Sequence, residues 1–378
     1  MELLREDFLA RNLQEEIPIL TQFVIDKNFE KAKNSIFKLE GYLSDGLAKD
    51  MTFENNEELF LQTDSVLNFK NIGFPKELPF HKLPEGAMLL ITSRSKTGKT
   101  SLLIGSLTEN FINGNNIYLA SYEIPRVSVI NRMLSYISDV PLQEINEGIY
   151  SVSDSSLRVL VARYVLSKNV DFKTASRIML EKGEEGLRAL PTRENKLIIK
   201  ASLTKDELEK YKAKNKRPPN LPSDMEILKD VRDYNKVGKL DFIYIDYISL
   251  IPFVDSKNSR EQNIANFSKA LKLSLLETST IGIVLSQSKS AQEFYMPLYS
   301  QAAILDSDAV ISVQPTKEQN ENGLTTIHLY VARHTVDMQS YECEKHLEVQ
   351  KFIPTGNSMD MEDFLEKYNK ENKGKDKK

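Results

Sequence analysis

The sequence predicts an α/β fold in which a mostly parallel sheet is flanked by helices. From about residue 66, short and fully apolar runs alternate with segments of helical periodicity. These runs are AMLLITS, NIYLASYE, KLIIKA, LDFIYIDY and IGIVLSQ. Strands that are apolar on both faces are typical of parallel sheets with helices on each side. The octet SRSKTGKT follows the first run and opens a helix, which is the context of a phosphate-binding loop.

The segments between and after the strands complete this fold. The pattern predicts helices from Lys99, from about Arg126, over 224–234 and over 260–278, and mostly helical structure over 142–193. The runs AVISVQ and LTTIHLYVAR are separated by a polar stretch that contains a glycine, and they predict a hairpin at the end of the sheet.

The same pattern divides the chain into four regions. We expect a small helical N-terminal extension over 1–48, a linker over 49–65, the α/β core over 66–350 and a partly disordered tail over 351–378. Proline and glycine residues cluster just before the first core strand, as expected where a new folded unit begins.

Composition excludes several classes of protein. The net charge of −4 provides no overall attraction to nucleic acid or anionic lipid, so any such contact must be a local patch. Cys343 is the only cysteine, which excludes an intrachain disulfide and a zinc site built from cysteines. No apolar stretch approaches ~18 residues and the N-terminus does not resemble a signal peptide. We therefore expect a cytoplasmic location and no membrane partner.

The octet predicts a site for ATP and Mg²⁺. Backbone N–H groups and the helix N-terminus attract phosphate, Lys99 supplies a cation, and the Thr100 hydroxyl can bind Mg²⁺. The first glycine of the usual pattern is replaced by Ser93, and we expect the turn to accommodate this small residue. The predicted nucleotide-binding residues are Ser93, Arg94, Ser95, Lys96, Thr97, Gly98, Lys99, Thr100, Ser101 and Arg132.

Two acidic residues near strand ends complete the predicted chemistry. Asp246 ends the run LDFIYID, and we expect it to hold Mg²⁺ from a strand that neighbours the phosphate-loop strand. Glu123 follows the run IYLAS and is the candidate general base, provided that its strand also neighbours the phosphate-loop strand. Each residue by itself can also be an ordinary solvated strand-end carboxylate.

In order, the segments SRSKTGKT, SYEIPRVSVINRM, FIYIDYISLI, REQNIANFSKALK, GIVLSQ and QAAILDSDAVISV resemble the core motifs of DnaB-type replicative helicases, the phage-encoded members most of all. The resemblance runs from about Ile72 to Val336. It implies a RecA-like P-loop ATPase core and a ring, normally a hexamer, that moves on single-stranded DNA with 5′ to 3′ polarity. It also implies bacterial cytoplasm as the location if the chain is phage-encoded.

The resemblance implies roles for individual residues. Glu123 resembles the catalytic glutamate, Arg132 the basic residue on the following helix, and Asp246 the Mg²⁺ aspartate. Gln287 resembles the glutamine that senses the γ-phosphate. Arg333 is the only candidate for an arginine finger acting on the next subunit's nucleotide, because the family's Lys-x-Arg pair is reduced here to Ala332-Arg333 followed by His-Thr.

The partners implied are single-stranded or forked DNA and further copies of the same chain. Primase, a helicase loader and other replisome proteins are additional candidates, although the short N-terminal region leaves no room for the family's full collar. The predicted DNA contacts are Lys257 and Arg260 after Asp246, and Lys289 after Gln287.

Two other functions remain open from the residues alone. A RecA- or RadA-like recombination ATPase shares the phosphate loop, the glutamate and the strand-end aspartate, but it forms filaments and does not unwind forks. An ATP-binding helicase accessory subunit with weak turnover would explain the altered finger and the reduced N-terminus.

Overall fold

The computed structural model describes residues 68–150, 154–202, 209, 221–255, 257–288, 296–298, 301–333 and 338–372. The predicted N-terminal extension and linker lie outside these ranges, as do the last six residues of the predicted tail.

Most described strands belong to one mixed sheet. In chain order the strands are β1 (Phe69–Asn71), β2 (Lys82–Pro84), β3 (Met88–Ser93), β4 (Ile117–Ser121), β5 (Leu197–Ala201), β6 (Phe242–Asp246), β7 (Ile281–Gln287), β8 (Ala309–Val313), β9 (Leu324–Ala332), β10 (Gln339–His346) and β11 (Lys351–Asp360). Within the described residues, nine strands pair in the order β11-β10-β9-β8-β3-β7-β6-β4-β5. The pairs from β8 to β5 are parallel, whereas β9, β10 and β11 pair antiparallel. The predicted α/β class and the β8–β9 hairpin are confirmed.

Helices connect the strands and cover both faces of the sheet. They are α1 (Lys99–Ile112), α2 (Arg126–Ser138), α3 (Leu142–Glu147), α4 (Ser155–Ser167), α5 (Phe172–Arg188), α6 (Asp224–Val237), α7 (Arg260–Thr278), α8 (Ala302–Asp306), α9 (Lys317–Glu321) and α10 (Met361–Asn372). None of the helices in the described ranges combines the length and apolar content that a bilayer crossing requires.

The alternation of side chains along β3 explains why its sequence is apolar throughout. Leu89 and Ile91 are buried in the core on one face of the sheet, and Met88 and Leu90 are buried in the core on the other. Successive strand residues point to opposite faces, so a strand covered on both sides needs apolar residues at every position.

The sheet continues past residue 350, where the sequence predicted that the core would end. Strand β11 pairs with β10, and α10 follows it directly. Phe364 of α10 is fully buried, and its ring lies 4.2 Å from the ring of the equally buried His328 on β9. Residues 351–372 are therefore part of the folded unit, because this helix buries an apolar face against the sheet.

Candidate nucleotide-binding site

The phosphate loop connects the carboxyl end of β3 to the first turn of α1. Gly98 is the N-cap of α1 with φ 105°, and Lys96 also has a positive φ of 67°. The first N–H groups of a helix have no partner within the helix, so this end attracts an anion. The predicted loop from Ser93 to Thr100 thus has the strand–loop–helix context that its function requires.

Ser93 replaces the usual glycine without backbone strain, because it is the last residue of β3 and does not have a positive φ. Its hydroxyl donates to the carbonyl oxygen of Val313 at 2.9 Å and also contacts the Thr97 hydroxyl. The glycine that the loop needs is Gly98. A Cβ there would lie 2.7 Å from Phe352 and 2.8 Å from Leu347, in addition to the positive φ.

Lys99 lies inside this loop and is only 5% exposed. Its Nζ donates to the carbonyl oxygen of Ser93 at 3.4 Å. Burial lowers the pKa of Lys99, whereas the negative charges of Glu123 and Asp246 oppose that change. A buried ammonium group between two acidic residues can bind a phosphate oxygen that enters the loop.

Asp246 ends β6 and is 1% exposed, yet both of its carboxylate oxygens lack a hydrogen-bond partner in the part of the chain that the structure describes. Burial raises the pKa of Asp246 to about 7, and Glu123 adds to this increase, whereas Lys99 and Arg132 oppose it. Buried polar atoms are normally paired, so an unpaired carboxylate indicates a missing cationic or hydrogen-bonding partner. A divalent cation fits this position, with the half-buried Thr100 as the second candidate ligand.

No group of three or more His, Cys, Asp or Glu side chains in the described ranges is placed to hold a metal ion by itself. This agrees with a Mg²⁺ site, because Mg²⁺ in nucleotide sites takes most of its ligands from phosphate and water.

The strand order corrects one expectation about these residues. Strand β7 separates β6 from β3, and β4 lies beyond β6, so neither Asp246 nor Glu123 follows a strand that neighbours the phosphate-loop strand. Gln287 occupies that position, because it is the register partner of Ser93. The exposed Glu123 nevertheless acts electrostatically on Lys99, Asp246 and Arg132. The carboxyl ends of parallel strands share one edge of the sheet, and this brings the residues together.

Gln350 is a site residue that sequence reasoning missed. Its Oε1 accepts hydrogen bonds from Nη1 of Arg132 at 2.6 Å and from the Ser101 hydroxyl at 2.9 Å. It is 2% exposed and has a φ of 62°, which is unusual for a non-glycine residue. Only a turn from the far end of the chain places it here, so no local pattern predicts it.

A cavity of about 680 Å³ lies beside the phosphate loop. Its lining includes residues of α1, α2, the turn before β11, and β11 itself. Ser101, Gly105, Tyr136, Gln350 and Phe352 are among them. The loop residues Arg94, Ser95 and Lys96 are exposed, whereas Thr97 is buried. The cavity is large enough for the base and ribose of a nucleotide whose phosphates lie in the loop.

Arg333 lies away from this site. It follows β9, which runs antiparallel to β8, so it is at the amino edge of the sheet while the phosphate loop is at the carboxyl edge. Its guanidinium donates to the carbonyl oxygen of Leu305 at 2.6 Å and is 3.7 Å from a carboxylate oxygen of Asp308. Arg333 is thus not part of its own chain's site.

The predicted DNA contacts differ in their surroundings. Lys257 is exposed, and its backbone N–H is bonded to Asp255 at 2.9 Å. Arg260 is not in a loop but is the first residue of α7, where its guanidinium donates to the Ser249 carbonyl and lies 5.8 Å from the ring of Phe253. Lys289 lies outside the described residues.

Comparison with known families found one match. The model of the DnaB-like helicase C-terminal domain matches residues 173–300 of the 378-residue chain. This segment contains Asp246 and Gln287, whereas the phosphate loop and Glu123 precede it. The resemblance to DnaB-type helicases is confirmed, and it supports a role as a helicase and ATPase. A comparison with curated protein sequences found no match.

Solved structures are similar over most of the chain. The ATPase domain of a phage helicase has a TM-score of 0.59 and 16% identity, with 80% of this chain and 99% of that chain covered. A DnaB-like replicative helicase, described with its interactions with primase, has a TM-score of 0.58 and 16% identity, with 93% of this chain and 78% of that chain covered. At this identity the likeness shows the fold, which is that of a RecA-like ATPase domain.

Proposed function

We propose that this chain, whose residues 173–300 match the DnaB-like helicase C-terminal domain, is an ATP-driven replicative DNA helicase. It hydrolyses ATP at the subunit interfaces of a ring, moves along single-stranded DNA and separates duplex DNA. The observation that carries the proposal is the buried, unpartnered carboxylate of Asp246 in the electrostatic field of Lys99, at the edge where the phosphate loop ends.

The proposed reaction uses the side chains at this edge. Water attacks the γ-phosphorus, the bond to the bridging oxygen breaks, and Glu123 accepts the proton of the attacking water. Lys99 stabilises the charge on the phosphate oxygens. Thr100 and Asp246 would hold Mg²⁺, which neutralises charge on the phosphates when it is bound.

A ring supports the position of Arg333. An arginine at the opposite edge from its own phosphate loop contributes to hydrolysis only if it reaches a neighbouring copy. Head-to-tail contacts between identical subunits place one edge of each copy against the other edge of the next. Hydrolysis then depends on assembly, and we propose a hexamer on the resemblance stated above.

The proposed partners follow from the same function. Single-stranded DNA contacts Lys257 and Lys289, whereas Arg260 is less available because its guanidinium already has partners within the chain. Few cations per subunit suffice, since a ring repeats each contact and affinity rises with the number of phosphates neutralised. Primase and a helicase loader are further proposed partners, and the bacterial cytoplasm is the proposed location.

The test uses the purified full chain, a forked DNA with a 5′ tail, Mg²⁺ and ATP. We expect DNA-stimulated hydrolysis and strand separation, and we expect Glu123→Gln to bind nucleotide but to lose both activities. A wild-type preparation that binds nucleotide and assembles, but neither hydrolyses ATP faster with DNA nor unwinds the fork, contradicts the proposal.

The same assay separates the alternatives. Filament formation and strand pairing without fork unwinding favour a recombination ATPase. Nucleotide binding without turnover favours an accessory subunit.

A further inference from the structure

Tyr247 contacts two groups of the site at once. It follows Asp246 directly, is 9% exposed and belongs to the apolar core. Its hydroxyl accepts a hydrogen bond from Nε2 of Gln287 at 3.0 Å. The Nζ of Lys99 lies 5.7 Å from the centre of its ring. One side chain therefore joins the phosphate-loop lysine to the glutamine at the end of the neighbouring strand.

The ring is a partner for a poorly solvated cation. Lys99 has lost most of its contact with water, and its hydrogen bond to Ser93 is long at 3.4 Å. The face of an aromatic ring attracts a cation, and the attraction is stronger where water is excluded. The ring of Tyr247 thus helps to hold the ammonium group beside the loop before any phosphate arrives.

The hydroxyl orients an amide that has another donor to use. The side-chain nitrogen of Gln287 carries two N–H bonds, and one of them is directed to Tyr247. The second N–H remains for an oxygen of a bound phosphate. Gln287 is also held through its backbone, since its carbonyl accepts from the N–H of Leu298 at 2.8 Å and Ser93 is its register partner.

We propose that Tyr247 is a positioning residue that fixes Lys99 with its ring and Gln287 with its hydroxyl, so that both meet the terminal phosphate of one nucleotide. The proposal rests on the nucleotide site proposed above, but it requires neither hydrolysis nor DNA. Its two halves are separable, because phenylalanine keeps the ring and removes only the hydroxyl.

The hydroxyl half predicts a loss of discrimination between triphosphate and diphosphate. Gln287 contacts only the terminal phosphate, so it contributes to binding of a non-hydrolysable ATP analogue but not of ADP. We expect Tyr247→Phe to lower the ratio of Kd for ADP to Kd for the analogue by ~5-fold, the effect of one hydrogen bond. Gln287→Ala should lower the ratio similarly, and the double variant should lower it no further, because both changes remove the same contact.

The ring half predicts a general loss of affinity. Tyr247→Leu should lower the ratio as Tyr247→Phe does and should also weaken both nucleotides by ~5-fold, because Lys99 is no longer held beside the loop. Nucleotide binding is measured with Mg²⁺ by isothermal titration calorimetry on the full chain, and thermal unfolding verifies that each variant is folded.

Tyr244→Phe is the matched control. Tyr244 is fully buried on the same strand, and its hydroxyl contacts Asn110 at 2.9 Å and Ser106 at 3.1 Å, away from the loop. Its loss should reduce stability and leave the nucleotide ratio unchanged. The proposal is overturned if Tyr247→Phe keeps the wild-type ratio, or if its effect adds to that of Gln287→Ala. A chain that binds nucleotide as expected but never hydrolyses it contradicts the proposed function and leaves the role of Tyr247 intact.

Discussion

Asp246 and Asp308 are both buried aspartates at strand ends, but they lie at opposite edges of the sheet and have opposite surroundings. Asp308 accepts from the backbone N–H of Met88 at 2.8 Å and from Lys272 at 2.6 Å, and it also attracts Arg333. Asp246 has no such hydrogen bonds within the described ranges. A paired buried carboxylate stabilises the fold, whereas an unpaired one indicates a place for a ligand.

The largest expected effect concerns the amino edge and its arginine. We expect Arg333→Ala to lower ATP hydrolysis by ~10³-fold, because an arginine finger stabilises charge in the transition state. A mixture of Arg333→Ala with Lys99→Ala should regain activity, since an interface can combine the intact loop of one variant with the intact arginine of the other. Arg163→Ala, an exposed arginine on α4, is the control. A mixture no more active than its separate components means that Arg333 does not act between subunits.

The second prediction uses the pKa of Asp246, about 7 in the folded chain against an ordinary value of 3.8. Between these values the folded state binds more protons than the unfolded state, so this group makes stability fall as pH rises from 4 to 7. A shift of about three units corresponds to about 4 kcal/mol. Urea unfolding without Mg²⁺ or nucleotide should show Asp246→Asn equal to the wild type near pH 4 and more stable at pH 8. The same difference at both pH values contradicts the assignment.

Removing the paired carboxylate should have the reverse effect. Asp308→Asn leaves the buried Lys272 without its counter-charge, and we expect the free energy of unfolding at pH 8 to fall by about 3 kcal/mol. Asp139→Asn breaks a surface pair with Lys351, and we expect a loss of less than about 1 kcal/mol. If Asp308→Asn is no more destabilising than this control, the contrast between the two edges is wrong.

The smallest expected effect concerns Gln350, the residue that holds Arg132 near Asp246. Gln350→Ala removes an acceptor shared by Arg132 and Ser101, and we expect a loss of about 1–2 kcal/mol of unfolding free energy. Gln350→Gly removes the same acceptor but relieves the positive φ, so it should be less destabilising by about 1 kcal/mol. Chemical unfolding of both variants measures the difference, and equal losses would mean that the backbone conformation carries no cost.

Local features of the chain were predictable because their causes are local. The alternation of apolar residues and the loop chemistry identified β3, the phosphate loop and the start of α1 at Lys99. The same reasoning placed Asp246 at a strand end, since strand length and composition are properties of a short segment. It also predicted that Ser93 is compatible with the loop, which holds because the positive φ values lie at Lys96 and Gly98.

The strand order was not predictable from these patterns, because hydrogen bonding between strands joins segments that are distant in the sequence. It placed Gln287, and neither Asp246 nor Glu123, beside Ser93. It also extended the sheet past residue 350, where the sequence suggested a tail.

The sequence by itself determined that this chain is an α/β protein with a phosphate-binding loop, because periodicity and loop composition act over a few residues. Only the tertiary structure decided which side chains surround that loop. Tyr247 bridges Lys99 and Gln287, and Gln350 reaches Arg132 from the other end of the domain. The physical reason is that burial creates these demands: a lysine or an aspartate requires a partner only once folding has removed its water.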